Sequence, residues 1–240
     1  MKFRSFLPAL FFAAAASAAT ITIESATAAW QNKMPNDPGI VINNAASPIR
    51  IQWGVPLPGS AYEFELSVPP LVQASNPPPV TPWFEVGMFN HQNFVIDPPI
   101  LDSVELMITL GIDIDGTDFV RDFTFLVTHI ETPNISNNPG ACQFPGQGNA
   151  NGCDDLVVIT TKGFPTTFTV GLVEYTLEVA FFDPIPTTQV NQFFTKENQE
   201  NFVQLGGRFT SQIVPEPSTY GMMAVGVISL ILGARRRFKQ

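Results

Sequence analysis

The sequence predicts an all-β fold: an antiparallel β-sandwich, jelly-roll-like. Three observations predict it. The first is the stretch SVELMITLGIDIDGTDFVRDFTFLVTHI, where Val104, Leu106, Ile108, Leu110 and Ile112 alternate with Glu105, Met107, Thr109 and Asp113. A period of two puts every second side chain on the same face, so the stretch reads as a half-buried strand. The second is Asp115-Gly116, a pair suited to the positive φ angles of a tight hairpin, after which Phe119, Arg121, Phe123, Phe125 and Val127 return with the same period. The third is composition. Runs rich in Val, Ile, Thr and Phe are divided by turns drawn from 22 prolines and 17 glycines, and no ten-residue segment of the body keeps a convincing helical period.

Taken in order, strands are expected at residues 48–53, 61–68, 83–88, 104–112, 119–127, 155–161, 166–170, 174–182 and 202–213. Residues 75–82 and 184–186 are Pro-rich breaks, and residues 192–201 are the one weak helical candidate. The chain has no visible internal repeat. The body is long enough for one sizeable domain.

The chain opens MKFRSFLPALFFAAAASAAT, with Lys2 and Arg4 ahead of an apolar run and the small residues Ala16-Ser17-Ala18. This is the layout of a secretory signal peptide over residues 1–18, handled by the secretion machinery and cut by signal peptidase near Ala18. The alternative, a short core helix, does not explain why a basic start and a small-residue exit occur together. Towards the other end, residues 220–234 carry no charge. As a helix they would span roughly 22 Å, against a bilayer core of roughly 30 Å. Snorkelling by Arg235 and local thinning close that gap, so a transmembrane helix is expected here. Arg235, Arg236, Arg237 and Lys239 follow as a membrane stop that stays cytoplasmic. The body, residues 19–213, then lies outside.

Between the body and the apolar run stand Val214, Pro215, Glu216, Pro217 and Ser218. The prolines cannot extend a strand ladder and bias their neighbours towards extended backbone, a form that an enzyme can grip. This order of Val-Pro-Glu-Pro-Ser, a short apolar run and clustered arginines resembles the PEP-CTERM sorting tail. The resemblance implies that the tail is a substrate of exosortase, a membrane-embedded cysteine transpeptidase-like enzyme. It implies that Pro215, Glu216 and Pro217 are recognised rather than catalytic. It also implies a Gram-negative producer with an exopolysaccharide system, a biofilm setting, and transient anchoring in the inner membrane.

The full chain carries a net charge of −9. Half of its basic residues, Lys2, Arg4, Arg235, Arg236, Arg237 and Lys239, lie in the two terminal segments, so the body is more acidic still. Such a body repels phosphate backbones, which argues against a nucleic-acid partner. Cys142 and Cys153 flank QFPGQGNANG, a run dominated by glycine, asparagine and proline with no core to hold it. In an oxidising compartment they are expected to form a disulfide, contributing on the order of 3 kcal/mol by loop closure. With no histidine nearby they do not suggest zinc.

Three groupings could carry chemistry. Asp113 to Asp118 alternate around Gly116 like the start of a calcium loop, but Thr124 stands where the closing glutamate would be needed and strands flank the turn, so a solvated hairpin is expected. His91 and Asn93, in Asn90-His91-Gln92-Asn93 and near Glu85, suggest an acid/base pair, yet a polar turn at a strand end accounts for them. Only His91 and His129 are present, with no nucleophile elbow or HExxH. Trp30, Trp53, Trp83, Phe84 and Phe89 could stack on sugars if exposed and are ordinary core if buried. His91, Asn93, Trp53 and Trp83 are therefore the candidate ligand-binding residues, with no catalytic residue, metal or cofactor expected.

The words RIQWGVP, FEVGMFNHQNFVI, SVELMITLGI and CQFPGQGNANGCDDLVVI resemble the choice-of-anchor K domain. That family pairs one extracellular body with interchangeable anchors, a PEP-CTERM tail among them, and the resemblance carries no assigned activity. The expected function is an exported, surface-sorted structural or adhesive protein of the extracellular matrix or envelope, not an enzyme, with exopolysaccharide as a candidate partner. The alternatives are an extracellular carbohydrate-binding module, which needs the tryptophans on one exposed face, and a secreted hydrolase, which needs His91 in a concave site beside Glu85 or Asp97.

Overall fold

The computed structural model describes residues 19–67, 71–73, 80–134, 142–144, 148, 151–163, 166–214 and 225–229. Residues 1–18, where the signal peptide is expected, lie outside this set, as does most of the tail. Among the described residues fourteen strands follow one another: β1 (Ile21–Met34), β2 (Val41–Asn43), β3 (Ile49–Trp53), β4 (Ser60–Leu66), β5 (Leu71–Gln73), β6 (Phe84–Asn93), β7 (Ser103–Ile114), β8 (Thr117–Ile130), β9 (Asp155–Lys162), β10 (Thr166–Val170), β11 (Val173–Phe182), β12 (Gln189–Val190), β13 (Gln192–Thr195) and β14 (Gln199–Ile213). One antiparallel sheet runs β13-β9-β8-β7-β1-β5; the other runs β10-β11-β14-β6-β4-β3-β2, with β12 beside β11. The sheets curl into a half-barrel.

The two sheets face each other because each long strand has one apolar face. Along β7, Val104, Leu106, Ile108, Leu110, Ile112 and Ile114 are buried, and the residues between them are half exposed. Phe123, Phe125 and Val127 of β8 lie on the same side and share one core with Phe64, Phe89, Leu205 and Phe209 of the opposite sheet. The β7–β8 turn is the expected tight hairpin. Asp115 and Gly116 both have positive φ, 51° and 81°, and their neighbours Ile114 and Thr117 pair across the ladder. The aspartates serve the turn itself: Asp113 Oδ1 accepts from Gly116 N at 3.2 Å, and Asp115 Oδ1 accepts from Thr20 N at 2.8 Å.

Several expectations are corrected. β1 was not anticipated, since Ala, Ser, Gln and Asn dilute its pattern. Its register shifts between Ile23 and Ser25, so the inward set changes from Ile21 and Ile23 to Ala26, Ala28 and Trp30. Residues 192–201 form β13, a turn and the start of β14, with no helix. The segment from β12 to β13 crosses between sheets, pairing with β11 and then with β9, and those ladder bonds override its weak helical pattern. β6 does not stop at residue 88; it continues through Asn93, held by β4 on one side and β14 on the other. Asn90-His91-Gln92-Asn93 is therefore strand, where a polar turn was expected.

Residues 225–229 are helical, and among the described residues no helix is long and apolar enough to cross a membrane. The rest of the expected span over residues 220–234 lies outside the described set.

Cys142 and Cys153 are disulfide-bonded, 11 residues apart. Cys153 is buried and leads directly into β9. Replacing both cysteines with serine is expected to destabilise the body by about 2–3 kcal/mol, the loop-closure entropy of so short a ring. Denaturant melts of the oxidised parent and the double variant would check this; equal midpoints would show that the loop needs no staple.

Candidate functional site

The strands bring polar side chains together at one end of the half-barrel. β3 and β6 finish there, as do β8 and β13, while β9 and β14 begin there. His91 and Asn93 come from β6, Tyr62 from β4 and Trp53 from β3; His129 comes from β8, Asp155 from β9 and Thr195 from β13. Glu131 and Thr132 follow β8, and Glu197 sits in the turn from β13 to β14. His91, Asn93, Asp155, Thr195 and Glu197 are each 0% exposed.

Hydrogen bonds orient the two imidazoles. His91 Nδ1 is 2.9 Å from Thr195 Oγ1, and that hydroxyl donates to the Asp155 carbonyl oxygen at 3.4 Å. Thr195 therefore accepts from His91 Nδ1–H, which leaves the Nε2 lone pair free; Nε2 is buried and has no partner. His129 Nδ1 is 2.7 Å from the Tyr62 hydroxyl, and its Nε2 lies 3.0 Å from Glu131 Oε2 and 3.8 Å from Asp155 Oδ2. The imidazole rings are 5.2 Å apart, with Trp53 stacked on His91 at 5.7 Å and edge-on to His129 at 5.2 Å.

The carboxylates are held with equal care. Asp155 Oδ1 accepts from Thr132 N at 2.8 Å, and the Thr132 hydroxyl is 3.1 Å from the same oxygen. Asp155 Oδ2 and Glu131 Oε1 are buried and accept no hydrogen bond. With the Asn134 amide nitrogen turned towards Glu197, it donates to Oε1 at 2.8 Å. Gly152 packs so tightly here that a Cβ would sit 2.8 Å from Glu197 Cγ. Any larger residue would push the carboxylate away. Trp53 Nε1 and Asn93 Oδ1 are likewise unsatisfied; each such buried atom costs about 1–3 kcal/mol, so the group is a large local burden.

Burial dominates the acid–base behaviour. It pushes Glu197 from an ordinary 4.5 up to about 8, assisted by the charges of Asp155, Glu131 and Asp154 and opposed by a hydrogen bond from Asn93. It pushes Asp155 from 3.8 up to about 7, with His129 and Thr132 opposing and Glu131 reinforcing. Asp154 is raised by burial against the pull of Lys196. His91 is held well below 6.5 by burial and then by His129. Tyr62 is raised well above 10.0 by burial and by Asp155 and Glu131, so its phenol stays neutral.

The sequence singled out His91, Asn93 and Trp53, and all three belong to this cluster. Trp83 does not. It lies elsewhere on the surface, half-buried, edge-on to Phe182 at 4.7 Å and capped by the Arg208 guanidinium at 4.6 Å. Trp30 and Trp53 are 1% and 0% exposed, so neither adds to an exposed sugar-stacking face with Trp83. Glu85 is not beside His91: its carboxylate takes hydrogen bonds from Ser67 at 3.1 Å and Gln204 at 3.0 Å. Asp97 is exposed and pairs through its backbone with Val55. His129, Glu131, Asp155, Thr195 and Glu197 were missed. The signal available for Asp155 was an acidic residue opening an otherwise apolar strand. A groove of about 690 Å³ lies away from the cluster, on the outer face around Asn32, Glu105 and Lys162.

A carboxyl with a raised folded-state pKa binds more protons folded than unfolded, so its stability contribution is full below the unfolded value and is lost as pH rises through the folded one. Asp155 and Glu197 act in this sense up to about 7 and about 8, while lowered His91 acts oppositely, below 6.5. In chelator-treated protein the thermal midpoint is expected to fall between pH 6.5 and pH 8. Glu197→Gln is expected to remove much of that fall, on the order of 1–2 kcal/mol. Melts of both proteins across this range would check it; parallel curves would show that Glu197 does not carry the effect.

Comparison with known proteins adds a finding outside the cluster. Residues 214–237 match the family described as the PEP-CTERM protein-sorting motif. The match starts at Val214, the residue after β14. No curated protein matches the chain. The tail motif makes this an exported, envelope-sorted protein targeted to exosortase.

Proposed function

We propose that the chain is a structural or adhesive protein of the extracellular matrix or envelope of a Gram-negative bacterium. Its jelly-roll-like, choice-of-anchor K-like body is delivered by an N-terminal signal peptide. It is held for a time in the inner membrane by the apolar helix over residues 220–234 and is then processed by exosortase. The sorting motif at residues 214–237, placed directly after the last strand of the body, carries this reading. An acidic surface and a two-sheet core suit a body that works among exopolysaccharide outside the cell.

The reading assigns no turnover to the body. His91 and Asp155 are wholly buried, and a general acid or base must reach the proton that it moves. The carbohydrate-binding alternative loses its aromatic platform with Trp30 and Trp53 in the core. It keeps Trp83 with Arg208 as its remaining surface feature.

Replacing Glu216-Pro217 with Ala-Ala removes the charge and one of the two conformational restraints that the processing enzyme would grip. The variant is expected to accumulate at full length in the membrane fraction, while the parent loses its tail in a host that has exosortase. Intact-mass analysis of both proteins checks this. Equal processing of parent and variant would overturn the sorting part of the reading.

A further inference from the structure

Two sets of side chains at this polar end of the half-barrel have the geometry of a cation site. Ligand atoms of His91, His129 and Asp155 lie within 4.8 Å of one another, and so do those of Glu131, Asp155 and Glu197. Asp155 belongs to both sets. Ligands around a single ion at roughly 2.0–2.2 Å would stand about 3–4 Å apart, so small movements inward complete the shell. We propose that this cluster binds a divalent first-row transition-metal ion of the Zn²⁺ type, with His91, His129 and Asp155 as ligands and Glu131 and Glu197 closing the oxygen side.

A second observation is independent of the acidic grouping: His91 Nε2, Asp155 Oδ2 and Glu131 Oε1 are buried and take part in no hydrogen bond. The first two belong to side chains that are 0% exposed. Buried polar atoms are ordinarily paired; of the unpaired ones in this cluster, which also include Trp53 Nε1 and Asn93 Oδ1, these three are the imidazole and carboxylate atoms a cation would take. The outer hydrogen bonds also match what a metal-bound imidazole needs. His91 gives its Nδ1–H to Thr195 and so presents Nε2, and the Tyr62 hydroxyl at 2.7 Å fixes His129 through Nδ1. His129 offers Nε2 to the ion in the tautomer whose Nδ1–H donates to the Tyr62 oxygen, in which Nε2 carries no proton for Glu131. Asp155 keeps its other oxygen engaged by Thr132.

The ligand types select the ion. Two imidazole nitrogens beside carboxylates suit Zn²⁺ and its first-row neighbours, whereas Ca²⁺ takes six to eight oxygens. The position assigns the role. His91 lies in one sheet, and His129 and Asp155 lie in the other, so the ion ties the two sheets together. It does so at the far end of β14 from the tail; over 15 residues that strand extends about 50 Å. The ion would be structural, locking the outward-facing end of the body.

The test uses the full chain, stripped with chelator and dialysed. Micromolar Zn²⁺ is expected to raise the thermal midpoint by about 5–10 °C, and millimolar Ca²⁺ to leave it unchanged. Co²⁺ is expected to give a visible ligand-field band, which reports imidazole and carboxylate coordination directly. Asp155→Asn and His91→Gln should both lose the band and the Zn²⁺ shift while still melting cooperatively. Asp113→Asn, on the distant hairpin, should keep both. The proposal is overturned if the parent chain shows neither shift nor band, if Ca²⁺ matches Zn²⁺, or if the band survives in both site variants. The spectrum of the parent decides the matter even where a variant does not fold.

Discussion

Ionisable groups do not leave water without compensation, and one end of this half-barrel is built around that constraint. Two histidines and three carboxylates meet where the sheets converge. Desolvation is the first cause of the raised pKa of Asp155 and Glu197 and of the lowered pKa of His91. The surroundings supply hydrogen bonds where they can. Thr132 serves Asp155, Thr195 serves His91, and the Asn134 amide faces Glu197. Gly152 is bare because nothing larger fits beside Glu197. The disulfide ends at Cys153, so the chain reaches Asp154 and Asp155 from a fixed point. A region this expensive to bury would be replaced by apolar packing if stability were its sole purpose.

The topology explains why the cluster lies at that end. The segment β12–β13 leaves one sheet and joins the other, closing the side between β11 and β9. That crossing delivers Thr195 and Glu197 into the gap between the sheets. On the opposite flank β1 performs a similar office. Its Trp30 is bonded to Asn44 through the backbone and to the Ile49 carbonyl through the indole, which ties it to the other sheet. The aromatic layer of Trp30, Tyr62, Phe89 and Trp53 then forms a dry floor beneath the polar cluster. A dry floor strengthens every electrostatic interaction above it.

Body and tail use different physics. The tail matches a sorting motif over one contiguous stretch, residues 214–237, that is recognisable from sequence alone. The body has meaning only when folded, since its polar end draws on six separate strands. The outer faces, by contrast, are ordinary solvated sheet. Pairs such as Arg208 with Glu178 at 2.6 Å and Arg50 with Glu63 are half-exposed, and such pairs contribute little to stability.

By itself the sequence determined whatever is local. The β7–β8 hairpin was legible because alternation and Asp115-Gly116 both act within a few residues, and the disulfide because Cys142 and Cys153 close a short ring. The sorting motif was legible for the same reason. β1 was not, because its small and polar residues become strand only through pairing with β7. Residues 192–201 were not, because two different sheets claim them. His91 and Asn93 stood out, but as a polar turn, since nothing nearby shows that β4 and β14 hold them inside. Only the tertiary structure decided that His91 meets Thr195, 104 residues away, and that His129 meets Tyr62, 67 residues away. Periodicity reports which face of a strand is buried; it carries no information about which strand ends converge, and desolvation acts only after they do.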